Sequence, residues 1–576
     1  MRRDFHAGGQ VNAQFSVLRR YLPLAIATLL VATLVAGWGE ASGQKSLARR
    51  MGQVTDWSAR HVLYPQASSL RAQAASQRDP RAYWSYTMRQ AAQMRDGRSD
   101  LVRPAKPAPP KRPAPNHPDW SVSLGGGGTA PNMYPAKYSF DVNATPDCTN
   151  DFVVYAINAV PGSGQANIAA FNNLYSGTAG GTGVCGSGSA TPYWAYQVST
   201  VGLPTSPILS LDGAKVAFVD GDNPAVFHVL TWTGNQGTVT APATPTGSQV
   251  VDVTLTGATT DTNSSPFMDY YGDAAYVGTD NGLLFKITGV FNGTPALAGS
   301  PWPITVGAGG FVLSAPVIDF GTGNVIVGGA DGNLYGFTSA GAAITGSPLA
   351  VGSGGARGGI ADAPVVDVVN GLVYVATGEN AAVTAAVLVQ TVTSSFSTSR
   401  SANIGTNNGA IIHDGALNDA YFSVPTNMTG TTSEWFFYVC GVDMGGLGEP
   451  VLWRVGFNAS RVMNSSTSGG DNGLSNHPNE ECSPITEFKN GVDRLFLGLL
   501  TAQEIESWDI STNTYPTGQI SSAIVPGGTS GIIVDNVSAE PQASSIYFST
   551  QAPAPYPIPC GTGNFCAVKL TQGGLE

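Results

Sequence analysis

Charge is scarce in this chain: Asp, Glu, Lys and Arg make up only 12% of its 576 residues. Beyond residue 118 there are just 10 Lys/Arg against 33 Asp/Glu, a net charge of −23. That composition excludes a nucleic-acid partner, which requires basic patches that displace phosphate counterions. The six histidines (His6, His61, His117, His228, His413 and His477) are scattered, and no two cysteines stand in a C-x-x-C pair. Thiolate metal sites and c-type haem attachment are thereby excluded. No G-x-S-x-G elbow frames a nucleophilic serine.

What the chain has in quantity is glycine, 72 residues, with hydrophobic residues still at 42%. This suits a turn-rich all-β protein with a substantial core. One phrase recurs: a small residue and Pro, an alternating apolar strand, a second strand, an Asp/Asn-Gly turn, and a third strand. Ser314 to Phe337 (SAPVIDFGTGNVIVGGADGNLYGF) and Ser265 to Ile287 (SPFMDYYGDAAYVGTDNGLLFKI) are its clearest copies. A period of about 40–50 residues with short strands is the signature of propeller blades. Openers of the innermost strand fall near Pro135, Thr205, Ser265, Ser314, Ala363, Gly415, Cys482 and Thr529. They predict an all-β propeller of eight four-stranded blades, or seven if the degenerate Gly415–Asn458 module is an insertion. The last module lacks an outer strand, and Trp120-Ser121-Val122-Ser123-Leu124 is expected to supply it, closing the ring and removing exposed edges. The repeated phrase resembles the blades of the PQQ-like (quinoprotein alcohol dehydrogenase-like) propeller superfamily.

The resemblance implies an oxidoreductase built on a Trp, a disulfide of adjacent cysteines, a metal held by Glu, Asn and Asp, and a catalytic Asp. Here no cysteines are adjacent, and the Trp-docking motif A-x-D-x-x-x-G-K-E-x-W is not intact in any blade. No catalytic residue is therefore assigned and no cofactor is expected; Ca²⁺ is the one ion the acidic clusters suit. Asp269, Asp319 and Asp367 recur at the end of the innermost strand, where an Asp side chain caps the following turn. Asp220-Gly221-Asp222-Asn223 matches half a calcium loop without its distal Glu and reads as a hairpin tip. The acids in the long irregular loops, Glu379, Asp414, Asp443, Glu480 and Glu481, are the candidate ligand-loop residues, because specificity sits on loops grafted to a rigid scaffold. Trp435 to Tyr438 alternate within a strand and read as core.

The first 118 residues carry 18 Lys/Arg against 6 Asp/Glu, a net charge of +12. Arg19 and Arg20 precede the apolar run Tyr21 to Trp38, followed by the small residues Gly39, Ala41 and Gly43. This is the grammar of an export signal, either cleaved or retained as an anchor. Residues 1–43 thus read as signal peptide or signal anchor. Residues 44–118 read as a basic spacer, helical over Leu47–Val62 and Ala82–Met94, that ends in a Pro-rich linker. Residues 119–576 read as the propeller. In an exported chain the even set Cys148, Cys185, Cys440, Cys482, Cys560 and Cys566 predicts disulfides, paired by proximity as 148–185, 440–482 and 560–566. The sequence reading is an exported binding or scaffold module, periplasmic, cell-surface or extracellular, with a protein or glycan partner at the cell envelope. Membrane contact is expected through residues 21–38 alone, if uncleaved. The competing reading is a diverged PQQ-like oxidoreductase or a glycan-active propeller.

Overall fold

The computed structural model describes residues 52–571, leaving aside 67–68, 90–118, 141–145, 161–163, 179–181, 408–410, 424–433, 446–447, 466–469, 472–480, 491, 512–518, 537, 539, 541 and 555–559. Eight antiparallel sheets follow one another along the chain, each built from four strands that we call A to D from the inside outward. The Gly415 module is a true blade, with strands Ala416–Leu417, Phe436–Val442, Pro450–Gly456 and Gly470–Asp471. Its aromatic run is core, as its alternation predicts: Trp435, Phe436, Phe437 and Tyr438 are all buried.

Tight turns between strands B and C carry the expected chemistry. Gly282 and Gly332 adopt φ of +82° and +84°. A side chain at Gly332 would also strike the carbonyl oxygen of Gly352 at 2.3 Å, so both conformation and space demand glycine there.

The ring closes as the missing outer strand predicts. Trp120–Gly125 pairs antiparallel with Phe565–Leu570, Trp120 opposite Lys569, and completes the sheet of Ile533–Asn536 and Ser544–Ser549. All three disulfides have the expected partners, Cys148–Cys185, Cys440–Cys482 and Cys560–Cys566. The last closes a loop with a sequence separation of 6. Chain-entropy scaling makes its removal (Cys560→Ser with Cys566→Ser) cost about 2 kcal/mol, read by urea unfolding; a cost near zero would mean the hairpin is held by its sheet alone.

Of the spacer expected over 44–118, residues 44–51 and 90–118 lie outside the described residues, while 52–89 belong to the compact unit that begins at Gly52. Gln53–Thr55 pairs with strand A of blade 1, Ala136–Ser139, with Gln53 opposite Ser139. After the short helix Ser58–His61, Val62–Leu63 pairs in parallel with strand A of blade 5, Val365–Asp367. Two blades thus gain a fifth, innermost strand. The registers show the segment's path: it enters beside the A-strand ends, rises to the A-strand starts, turns, and descends. Helix Leu70–Arg78 and helical residues 80–89 then cross the A-strand ends. Only 58–61 of the expected Leu47–Val62 helix is helical within the described residues, because its neighbours were taken into sheets; Leu47 to Met51 lie outside them. Among the described residues no helix is long and apolar enough to cross a membrane.

Candidate functional site

Residues of the segment 52–89 run through the hub of the ring, and arginines do the fastening. Trp57 is buried at the top of the turn and its Nε1–H donates to the Pro266 carbonyl at 3.0 Å. Arg60 donates to the carbonyls of Gly415 (3.2 Å) and Ile485 and to the Tyr134 hydroxyl. Arg71 pairs with Asp319 and reaches the Val368 carbonyl at 2.8 Å. Arg81 is 3% exposed and engages Asp79 (2.9 Å), Ser58 Oγ (2.8 Å) and the Met268 carbonyl (3.0 Å). Arg89 pairs with Asp419 and with Glu487 (3.2 Å) and lies over the Phe422 ring. The sequence's charge asymmetry has a structural meaning here: basic side chains of 52–89 meet acids on the inner strands of the ring. The several donors of one planar guanidinium suit this, as Arg81 spreads its nitrogens over Ser58, Asp79 and Met268 and Arg89 over two acids.

At the A-strand starts, four residues of blades 5 to 7 form one charged cluster. His413 is clasped on both ring nitrogens, Nδ1 by Asp362 (2.9 Å) and Nε2 by Glu481 (2.8 Å). Asp362 also accepts the Asp414 backbone N–H at 3.1 Å. Asp414 lies 3.2 Å from His61 Nε2 and 3.7 Å from Arg60. Burial opposes the His413 charge, but Asp362 and Glu481 outweigh it and hold the imidazolium pKa at about 10. Asp362 stays below the ordinary carboxylate range, since His413 overcomes its burial. Asp414 is pushed well up by burial and by Asp362, against the pull of Arg60. His61 falls to about 3 through burial and the neighbouring Arg60, and its Nδ1 meets the Ala363 carbonyl at 3.1 Å.

Two of the five candidate loop acids, Asp414 and Glu481, therefore meet in this cluster. Glu379 instead serves its own loop, accepting from Ser353 Oγ and Asn407 Nδ2. Asp443 accepts the backbone N–H groups of Gly448 (2.9 Å) and Glu449 (3.2 Å), ordering the turn between strands. Glu480 lies outside the described residues. Asp362 and His413 were the partners that sequence reading missed; what pointed to them was each one's place next to an A-strand opener.

The repeated Asp positions cap turns. Asp269 accepts from Tyr271 N and Gly272 N, Asp319 from Gly321 N, and Asp367 from Val369 N and Asn370 N. Asp220 likewise accepts from Asp222 N and Val226 N and from His228 Nε2, which makes it a hairpin organiser. Among the described residues no group of three or more His, Cys, Asp or Glu is disposed to hold a metal ion.

No family model and no curated protein matches this chain. Solved structures with a similar architecture do exist. BamB from Moraxella catarrhalis is 12% identical, over 79% of this chain and 97% of that one, with a TM-score of 0.39. Sqt1 from Chaetomium thermophilum, bound to the N-terminus of ribosomal protein L10, is 11% identical over 79% and 100%, with a TM-score of 0.44. The dihydro-heme d1 dehydrogenase NirN in complex with DHE is 10% identical over 73% and 77%, with a TM-score of 0.37. The eight four-stranded blades expected from the repeated phrase are what the sheets show.

Chemically, the His413 cluster is a clamp. With both ring nitrogens engaged by carboxylates, the imidazolium has no free position from which to pass a proton. Folding raises its pKa from the ordinary 6.5, so its stabilising contribution is full below about pH 6.5 and is lost as pH rises toward 10. Between pH 7 and pH 9 the expected loss is about 2 kcal/mol. Urea unfolding at the two pH values checks this, and His413→Gln should abolish most of the slope. An equal slope in both proteins would remove His413 as its source.

Proposed function

We propose that this chain is an exported, non-enzymatic binding module that offers a protein or glycan partner at the cell envelope the face at its A-strand starts. The observation that carries the reading is the hub: the segment 52–89 runs through the place where a funnel would receive a cofactor, and its arginines are matched by Asp319, Asp419 and Glu487 of the ring and by its own Asp79. What remains for recognition is the rim, where the loops of blades 5 to 7 depart most from the repeat and carry Glu379, Asp443 and Glu481. Three disulfides support an oxidising compartment.

Titrating the full chain with PQQ and Ca²⁺ while following its melting temperature tests the non-enzymatic half. A ligand of the native state must raise that temperature. The expected result is no change; a concentration-dependent rise, or PQQ-dependent alcohol oxidation, would overturn the reading and restore the oxidoreductase.

A further inference from the structure

A cavity of about 160 Å³ lies between the hub segment and the innermost strands of blades 5 to 8. One wall is formed by residues 53–63 and by one side of helical residues 80–89. That helix turns Arg81, Trp84, Ser85 and Met88 to the cavity, a spacing of three and four that keeps side chains on one face. The other wall is made by strand A of blade 6, Ala416–Leu417, and by residues 486–489 of blade 7 and 532–534 of blade 8. The surface of the cavity is mostly apolar.

Seven charged side chains border it, and six of them hold partners. Arg89 and Lys489 share Asp419, Arg89 also pairs with Glu487, and Arg81 pairs with Asp79. Arg60 donates to the carbonyls of Gly415 and Ile485. Asp56, the seventh, is 3% exposed. Its Oδ1 accepts from Ser58, but its Oδ2 has no partner among the described residues. Arg81, the cation that bears on it, gives its nitrogens to Ser58, Asp79 and Met268 instead. Burial accordingly pushes the Asp56 pKa up against that pull. Gln53, also buried, donates from Nε2 to Met88 Sδ at 2.8 Å, and its Oε1 is likewise unpartnered. A buried acceptor without a donor carries its full desolvation cost.

The size and the chemistry of the space say what would satisfy these two oxygens. Water alone is a poor filling: about five molecules would fit at roughly 30 Å³ each, and an ordered one needs roughly two to four polar partners. A wall this apolar does not provide them. A metal ion would need more ligands than two oxygens, and no group of three or more His, Cys, Asp or Glu among the described residues is disposed to hold one. An apolar cavity of roughly 150 Å³ takes up a benzene ring. What both oxygens lack is a donor, and what Asp56 lacks is a positive charge. Trp84 and Phe488 add ring surfaces, which attract a cation.

We infer that this cavity binds a small organic cation, an ammonium group on an apolar body of about one benzene ring, with Asp56 as its counter-ion and Gln53 as a second acceptor. The site is separate from the rim proposed above, and neither reading depends on the other.

The test follows the melting temperature of the full chain with benzylammonium as the probe, since a ligand of the native state must raise it. The expected result is a concentration-dependent rise. Benzyl alcohol, the same ring without the charge, and benzoate, with the opposite charge, should each need at least about tenfold more for an equal rise. Asp56→Asn keeps an acceptor for Ser58 and removes the charge, so it should weaken the probe by about tenfold or more. Ser85→Phe fills the cavity from the helix and should abolish the rise. A variant enters the comparison when its melting temperature without probe matches the parent. No rise with benzylammonium, an equal rise with all three compounds, or an undiminished rise in either folded variant would overturn the inference.

Discussion

Replacing Arg81 with alanine is expected to cost about 3–5 kcal/mol of unfolding free energy, the range for breaking one side of a buried, hydrogen-bonded ion pair. The guanidinium joins three parts of the hub. It bridges to Asp79 within its own segment and to Ser58 in the turn, and it reaches the Met268 carbonyl of blade 3. It also lies over the rings of Phe267 and Tyr270, 4.8 and 5.0 Å from their centroids. Without it, the buried Asp79 keeps only its neighbours' hydrogen bonds, among them that of the Tyr64 hydroxyl at 2.6 Å, and its charge is left uncompensated. Urea unfolding measures the loss, and limited trypsin digestion should cut within 52–89 sooner than in the parent. Arg81→Lys keeps the charge but not the fork, so partial recovery is expected. A loss below about 1 kcal/mol would mean that the segment is seated by its apolar residues alone.

Trp120→Ala should cost a similar amount, about 3–5 kcal/mol for a large aromatic removed from a packed site. Trp120 is 2% exposed, donates its indole N–H to the Leu174 carbonyl at 3.1 Å and packs on Tyr547 with ring centroids 5.9 Å apart. A second consequence sets this variant apart from an ordinary cavity mutant. Loosening Trp120–Gly125 uncovers the backbone of Phe565–Leu570, an apolar strand with unpaired amides and carbonyls, and such edges recruit other chains. Light scattering of the variant near its melting temperature should rise at protein concentrations where Tyr271→Ala, at an exposed position, stays clear. If both behave alike, the strand is not what closes the ring.

The blades were legible because their signals are local. Asp280-Asn281-Gly282 and Asp331-Gly332-Asn333 announce their turns, and short β-branched apolar runs such as Val325-Ile326-Val327 announce the strands beside them. The closing strand was legible from what the last module lacked. The hub insertion was not. Gln53–Thr55 and Val62–Leu63 have three and two residues, too few for a periodic signal, and their partners Lys137 and Val366 lie far along the chain. What marked the insertion was charge of opposite sign on the two sides of residue 118, which reads equally well as a soluble tail. Asp414 and Glu481 stood out as acids in irregular loops. Their convergence on His413 depends on how blades 5 to 7 sit around the hub, which no spacing rule encodes.

The two oldest folded pieces of the polypeptide, in order of synthesis, depend on the youngest. Arg60 waits for Ile485, Arg89 for Glu487, and Trp120 for the strand that ends at Leu570. A ribosome releases these partners hundreds of residues later, so early modules can assemble while the hub and the seam stay open. A chain truncated before Phe565 would therefore keep its hub fastenings but a raw seam, a form that proteases can tell from the finished ring without any dedicated recognition signal.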